Sequence, residues 1–270
     1  MILSRLLSRR WWKTTVLVLL AMGVMARLGI WQLDRLEQRR AFNARVEEQL
    51  NSPPLIFNPD DFDLDLPAME YREVVAEGVY DHSQQIALRN QAWENQYGVH
   101  LLTPLRIENS QEAVLVDRGW IPAEDFEAGA LAQYDEPGVV KVQGMLRASN
   151  TSPDFGRRAD PTLAPGEQRL EAWYLVNVER IAEQISYPLL PVYIQQAPDP
   201  AWVRLPYRSL PDLEITEGPH LGYALQWFTF AVILGIGYPI FIRREEIRTG
   251  AANEPRANVS NKIVEAAHEQ

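Results

Sequence analysis

The residues best suited to chemistry open an apolar run near the C-terminus, within Gly218–Arg244. On a helix, His220, Ala224 and Trp227 would share one face. An imidazole is a common axial ligand of haem iron, and a small residue beside an indole one turn deeper could hold a flat aromatic ligand. The other reading, which these residues alone favour, makes His220 an interfacial polar residue at a helix start.

Outside this stretch, few residues are arranged for chemistry. His82 and His100 have no second metal ligand at i+2 or i+4, and the chain has no cysteine, so a transition-metal site is disfavoured. The acidic stretch Asn58–Leu66 lacks the mid-loop glycine and closing glutamate of a calcium loop. The chain has no Gly-x-Ser-x-Gly elbow or phosphate-binding loop. These observations argue against a copper carrier and a membrane-anchored hydrolase.

Two apolar runs, Thr14–Leu33 and Leu221–Ile242, could place His220 at a membrane surface. Each has about 20 residues or more, the length needed to span a bilayer core of about 30 Å. Arg27 lies close enough to the end of the first run to extend its guanidinium to the interface. A cleaved signal peptide is the alternative for the first run. An uncleaved anchor fits better, because the apolar pattern continues to Leu33.

The charges flanking the two runs predict an orientation. Arg5, Arg9, Arg10 and Lys13 precede the first run, and Arg243 and Arg244 follow the second. The positive-inside rule therefore puts both termini in the cytoplasm, or in the matrix of an organelle. The region between the runs would face the opposite side.

The central region is acidic, whereas the ends are basic. Residues 32–219 contain 31 acidic and 16 basic residues, a net charge of −15, while the rest of the chain has 10 basic and 5 acidic residues, a net charge of +5. Because nucleic-acid phosphates require Lys and Arg, the acidic body argues against nucleic acid as a partner. Basic ends beside apolar runs favour a lipid bilayer instead.

The central region has the pattern of a mainly-β domain. A charged helix, Asp34–Leu50, is expected first, and seven or eight short strands separated by turn residues follow. Few helices interrupt them, so an antiparallel barrel or sandwich is predicted. The predicted strands are 71–80, 84–90, 97–107, 112–122, 139–147, 172–178, 191–197 and 201–205, with a loop over 148–169 and a short helix over 178–185.

Five segments together resemble the surfeit-locus-one family of cytochrome c oxidase assembly proteins. In order, they are LGIWQLDRLEQR (28–39), GVYD (78–81), YGVHLLTPL (97–105), VLVDRGWIP (114–122) and HLGYALQWFTFA (220–231). The resemblance implies two membrane crossings around one external domain and covers nearly all of residues 14–242. Gly218 and Pro219 depart from the family pattern, in which asparagines commonly precede the histidine.

The resemblance also implies a function and a site. The resemblance implies a non-catalytic assembly factor, or chaperone, of respiratory complex IV. Such a protein would bind haem a transiently and help to insert it into oxidase subunit I, with haem a synthase as a further partner. His220 matches the proposed iron ligand, and Trp227, Trp31 and Arg27 are expected in the haem environment. Arg118 and Trp120 are expected to form either a structural turn or a partner-docking surface.

These readings give one expected organisation and leave two alternatives. A basic N-terminus (1–13) precedes transmembrane helix 1 (14–33), an extracytoplasmic α+β domain (34–219), transmembrane helix 2 (220–242) and a cytoplasmic, disordered tail (243–270). The expected location is the bacterial inner membrane with a periplasmic domain, or the mitochondrial inner membrane. The alternatives are an assembly factor for another haem-copper oxidase without stable haem binding, and a membrane-anchored extracytoplasmic sensor or binding domain.

Overall fold

In the computed structural model, one long apolar helix precedes a β-rich region in the sequence and another follows it. The structure describes residues 6, 8–58, 62–153, 158–163 and 169–252. The chain forms two compact units: the segments up to Asn43 and from Ile215 onward make one, and Ala44–Glu214 makes the other. The elements are α1 (Trp12–Leu50), β1 (Leu55–Ile56), β2 (Glu73–Tyr80), β3 (Ile86–Trp93), β4 (Gln96–Ile107), β5 (Ala113–Pro122), α2 (Ala123–Glu127), β6 (Val139–Ala148), β7 (Ala172–Trp173), α3 (Val178–Ala182), β8 (Leu189–Gln196) and α4 (His220–Ala252).

Helices α1 and α4 are both long and apolar enough to cross a membrane, as the sequence predicts. Their most apolar windows have mean hydropathies of 1.9 and 1.7, and few side chains there are buried within the protein. Because apolar side chains need an apolar surrounding, the two helices are suited to anchoring the chain in a bilayer. The predicted charged helix 34–50 is continuous with α1 rather than separate.

Helix α4 also extends beyond the predicted crossing. The predicted tail begins at residue 243, but the helix continues to Ala252, so the expectation of disorder is wrong for this part. Arg248 donates a hydrogen bond to Glu245, and the Thr249 hydroxyl donates to the Glu245 carbonyl, which support the added turns. The rest of the tail prediction, on 253–270, lies outside the described residues.

The two helices run antiparallel and touch along their length. Near the N-terminus of α1, the Thr15 and Tyr238 hydroxyls lie 2.8 Å apart. Further along, a Cβ on Gly29 would lie 2.7 Å from the Phe228 ring, so the absence of a side chain at Gly29 lets α4 approach. Ala224 is 1% exposed at the same level. This packing fixes the register that brings the start of α4 beside residue 32 of α1.

The β-rich unit is a closed barrel with additions at its edges, which confirms the mainly-β prediction. Strands β2, β6, β8, β5 and β4 pair in that order, and β4 pairs again with β2 to close the ring. The β5–β8 pair is parallel, while the other ring pairs are antiparallel. This strand order is that of the five-stranded OB-type barrel. Strands β1 and β7 add parallel to β2 and β3.

The barrel is held by apolar layers on both faces of its strands. One cluster fills the interior with alternating residues such as Val74, Leu105, Val116 and Ile194. A second cluster, which includes Trp173, packs on the opposite face of the β3–β4–β5 region. Each fully buried aliphatic side chain contributes about 1.5–3 kcal/mol. Because β5 lies between these layers, nearly all its residues are buried, including its charged ones.

Two predicted strands differ in the structure. Residues 201–205 form turns and bends, because the adjacent prolines interrupt the backbone N–H donors that a ladder needs. The strand predicted over 172–178 is reduced to Ala172–Trp173. Asn177, within the predicted strand, instead caps α3, since its side chain accepts a hydrogen bond from the Arg180 N–H. Parts of the predicted 148–169 loop (154–157 and 164–168) lie outside the described residues.

Candidate site at the start of the second membrane helix

His220 is the first residue of α4 and is half-buried beside α1. The Pro219 carbonyl accepts the first helical hydrogen bond, from the Tyr223 N–H at 3.1 Å. Gly218 has φ +66°, in the left-handed region that glycine and asparagine adopt most readily. Gly218 therefore meets a backbone requirement that asparagine would also meet.

The His220 imidazole is oriented by a glutamine from the other helix. Its Nδ1 lies 2.9 Å from Oε1 of Gln32. Since an amide oxygen only accepts, Nδ1 carries the proton and donates a hydrogen bond to Gln32 Oε1. The lone pair of the neutral ring is then on Nε2, the nitrogen that would coordinate a metal. Hydrogen bonding of the non-ligating nitrogen is how proteins fix a ligand histidine.

The segment before His220 is tied to α1 by several polar contacts. The Thr216 carbonyl accepts hydrogen bonds from Arg39 Nε at 3.0 Å and from Asn43 Nδ2 at 3.1 Å. Arg40 makes a two-pronged pair with Glu217, at 2.7 and 2.8 Å. An isolated exposed ion pair contributes little to stability. The several contacts of Thr216 and Glu217 with α1 together restrict where His220 can lie. We refer to these contacts as the Thr216 clamp.

A shallow depression of about 390 Å³ lies beside the imidazole. Its lining comes from the flank of α1 and the start of α4. Arg35 donates to the Gln38 side chain at 2.9 Å and lies 5.7 Å from the centre of the Trp31 ring. The depression therefore combines one imidazole with positive charge and aromatic surface. Its lining residues are Arg35, Gln38, Arg39, Phe42 and His220.

The other residues predicted around the ligand lie along the two helices. Trp31 is 42% exposed on α1, and Arg27 is exposed one turn deeper on the same flank. Trp227 is half-buried, and its ring meets the Phe230 ring edge-on, with 6.2 Å between the ring centroids. Ala224, beside which the sequence places the slot, is 1% exposed and leaves little open surface there. Exposed ring surface is offered instead by Trp31 on α1.

Comparison with known proteins places the chain in a family. The model of the SURF1 family matches residues 19–232, which include both long helices and the barrel. The chain belongs to the SURF1 family. A SURF1-like protein from Monosiga brevicollis is 27% identical over 234 residues, covering 81% of this chain and 83% of the relative.

Two further SURF1 relatives are similar to this chain over most of its length. A SURF1-like protein of Rickettsia bellii is 25% identical, covering 86% of this chain and 91% of the relative. Surfeit locus protein 1 of Arabidopsis thaliana is 24% identical, covering 76% of this chain and 70% of the relative. The family match over residues 19–232 thus extends over parts of both structural units of this SURF1 chain, and its range contains positions 32 and 220.

Arg118 and Trp120 belong to the barrel core, so their expected role as a docking surface is wrong. Arg118 is 0% exposed and Trp120 is 2% exposed. Arg118 donates to Gln85 at 2.9 Å, to Glu136 at 2.8 Å and to the Tyr134 carbonyl. A charged side chain tolerates such burial only when its hydrogen bonds are satisfied. The alternative expectation, a structural role, agrees with this geometry.

The charges around Arg118 form one buried network in this SURF1 chain. Glu136 lies between two guanidiniums, those of Arg118 and Arg208, the second at 3.3 Å. Burial lowers the pKa of Arg208, and Glu136 opposes that shift. Burial also raises the pKa of Tyr80, whose ring centre lies 4.8 Å from the Arg118 guanidinium. Through Arg118, the network connects β5 with Glu136 and Arg208 in the barrel unit.

The remaining structured histidines are held inside the barrel unit. His100 Nδ1 lies 2.9 Å from Asp117 Oδ2, and Asp117 also accepts from the Gly119 N–H. Burial lowers the pKa of His100, but the charge and hydrogen bond of Asp117 outweigh it, so the pKa is raised. His82 lies against the Glu136 backbone. Neither ring is part of the depression at His220.

Sequence reasoning missed three residues of the site: Gln32, Arg35 and Arg39. All three fall in the segment that carries the family resemblance, yet they are about 180 residues away from His220 in sequence. Their i, i+3 and i+7 spacing was the available signal, because it places them along one side of a helix. Only the antiparallel pairing of α1 and α4 shows that this side meets His220.

Proposed function

We propose that this SURF1 chain is a membrane-anchored assembly factor for cytochrome c oxidase that binds haem a transiently and helps to insert it into subunit I. Members of the SURF1 family are known generally as cytochrome oxidase assembly factors. The observation that carries the haem proposal is the 2.9 Å contact between His220 Nδ1 and Gln32. That contact leaves Nε2 as the nitrogen with a free lone pair, and His220 lines a cationic depression.

The residues at the site fit a haem cargo. Haem iron accepts an imidazole nitrogen as an axial ligand, and His220 Nε2 would supply it. Gln32 would hold the ring in the correct tautomer. The Thr216 clamp would restrain the histidine, and Trp31 would offer an aromatic surface. A half-buried site with one protein ligand suits a cargo that is released again, since a closed pocket with two ligands would retain it.

The two helices support a location in a membrane, with His220 near one of its surfaces. We propose that both termini are cytoplasmic and that the barrel unit is periplasmic, or on the equivalent side of the mitochondrial inner membrane. Basic residues beside the outer ends of the two apolar runs support this orientation. Oxidase subunit I would receive the haem, and haem a synthase would supply it at the same membrane depth.

The proposal is tested by purifying the full chain from cells that make haem a and recording its absorption spectrum. Wild type is expected to carry haem with an axial imidazole, and His220→Ala to lose most of it. His82→Ala is the matched control, because His82 lies in the barrel unit and is expected to leave haem content unchanged. A haem-free wild type, or unchanged haem in His220→Ala, would contradict the haem role.

A second measurement separates oxidase assembly from haem binding. Deletion of the gene should abolish oxidase activity while the oxidase polypeptides are still made, and His220→Ala should fail to restore activity. Restoration by His220→Ala at wild-type level would favour an assembly role without stable haem binding. Normal oxidase after deletion would contradict the assembly role itself.

A further inference from the structure

One flank of α1 carries a ladder of cationic and aromatic residues at the level of His220. Arg27, Trp31, Arg35 and Arg39 follow one another at intervals of four residues, so their side chains form one row. Gln32, which contacts His220, marks the level of the imidazole on α1. Arg27 thus lies on one side of that level along the helix, and Arg35 and Arg39 lie on the other.

The two ends of this row face different environments. Arg27 lies within the apolar run, about five residues or 7.5 Å from Gln32 toward the bilayer interior. Arg35 and Arg39 lie about 4.5 and 10.5 Å from Gln32 in the opposite direction, beyond the end of that run. Of these three arginines, only Arg35 and Arg39 line the depression at His220.

Arg35 has the contacts expected of an anion-binding residue. Its guanidinium donates to the neutral Gln38 side chain and lies against the Trp31 ring. Within the described part of the chain, no carboxylate pairs with it. A planar guanidinium matches a carboxylate with two parallel hydrogen bonds. Arg39 is anchored to the Thr216 carbonyl and adds positive charge to the same wall.

A porphyrin with two carboxylate side chains has one anionic edge and one apolar edge. A carboxylate at the level of Arg27 would lie in the apolar region, where its desolvation is costly even beside an arginine. A carboxylate at Arg35 remains at the polar boundary. The charge distribution along the row therefore favours one of the two possible orientations.

We propose that Arg35, supported by the charge of Arg39, binds the carboxylate edge of the porphyrin, and that its apolar edge lies along Trp31 toward the bilayer. This inference rests on the proposed haem function and deepens it, because it assigns the chemistry that the site recognises beyond the iron. It also makes Arg27, which the family resemblance placed in the haem environment, a residue of the lipid-facing flank.

The test compares two porphyrin probes on the full chain in detergent: ferric protoporphyrin with free carboxylates, and its dimethyl ester. Dissociation constants are measured by absorption titration. For wild type, the free acid is expected to bind about tenfold more tightly than the ester, because the ester cannot form the charge pairs. Arg35→Gln is expected to reduce this preference to about twofold, and Arg39→Gln to reduce it less.

Two control variants make the test specific. Arg27→Gln should keep the tenfold preference for the free acid. If Arg27→Gln lost this preference while Arg35→Gln retained it, the porphyrin would bind in the opposite orientation and the proposal would be overturned. Asn43→Ala removes the other donor to the Thr216 carbonyl without changing charge, so it should also keep the preference. Comparing the acid-to-ester affinity ratio of each variant with that of wild type cancels the different partition of the two probes into detergent.

The outcomes separate this inference from the function on which it rests. Equal binding of acid and ester by wild type, with both lost in His220→Ala, would overturn the carboxylate proposal and leave the haem function intact. Absence of binding for both probes in wild type would contradict the haem function and with it this inference. A preference that survives in Arg35→Gln and Arg39→Gln together would also overturn it.

Discussion

Replacing Arg118 by alanine should destabilise the barrel unit strongly. The substitution leaves the Tyr134 carbonyl without its guanidinium donor, and removes one of the two arginines that neutralise Glu136. Gln85 keeps one partner, since Thr103 donates to it at 2.7 Å. Breaking a buried pair by removing one partner costs about 3–5 kcal/mol. For a unit of this size, each kcal/mol shifts Tm by about 2–4 °C, so a fall of roughly 6–20 °C is expected.

The assay is thermal unfolding of the full chain in detergent, followed by near-ultraviolet circular dichroism. A double-mutant cycle with Glu136→Gln isolates the pair, and the two substitutions should be markedly non-additive because both groups belong to one network. Arg147→Ala is a matched control, because Arg147 pairs with Glu70 at a partly exposed position. A Tm within about 2 °C of wild type for Arg118→Ala would refute the stabilising role of the Arg118 network.

Three further predictions follow from the described contacts. Gln32→Leu should weaken haem binding about 10–100-fold, because it removes the acceptor that orients His220, and titration measures this. The pKa of His100 is raised in the folded chain, so its pairing with Asp117 stabilises the fold fully below about pH 6.5. This contribution is lost as the pH rises through the folded pKa of His100. Asp117→Asn should therefore flatten that part of the plot of Tm against pH. Gly119→Ala should lower the unfolding free energy by about 2 kcal/mol or more, since residue 119 has φ +112° and an added Cβ would lie 2.4 Å from a backbone oxygen.

Each of these predictions has its own control. Gln32→Glu keeps an oxygen acceptor and should retain most of the affinity, so equal loss in both variants would contradict the orienting role. A Tm profile that is the same in Asp117→Asn and wild type would contradict the His100 assignment. Gly129→Ala also has positive φ but open space around it, so it should cost less than Gly119→Ala. A larger loss at residue 129 would refute the steric argument.

Much of the barrel could be predicted from alternation and turn residues. Strands such as β2 and β6 face apolar layers on one side only, so their sequences alternate, and the connection between β4 and β5 has the length of a hairpin. The closure of the ring could not be predicted, because it depends on pairing between distant strands. The parallel β5–β8 pair joins segments about 75 residues apart.

The errors at Arg118 and Trp120 have a physical cause. The Asp-Arg-Gly-Trp sequence has the composition of an exposed turn, yet it continues a strand that is covered on both faces. A burial of this kind depends on partners such as Glu136 and Tyr207, which come from other parts of the barrel unit. Sequence patterns report the average environment of a residue type and miss a charge whose hydrogen bonds are satisfied internally.

The site at His220 was predictable only in part. The apolar length and flanking charges indicated a histidine at a helix start near a membrane surface, and the helix does begin at that residue. The sequence did not show that Gln32 would fix the tautomer, because hydrogen-bond partners on different helices depend on helix register. Register in turn depends on small residues such as Gly29 and Ala224, whose role appears only when the helices are packed.

The most direct test of the central claim is chemical rescue of the proposed iron ligand. The full chain with His220→Gly is loaded with ferric haem, and its absorption spectrum is recorded before and after addition of free imidazole. The account predicts that the wild-type spectrum is lost in this variant and returns when imidazole occupies the place of the missing ring. A wild-type spectrum in the variant without imidazole would contradict the assignment of His220 as the haem ligand.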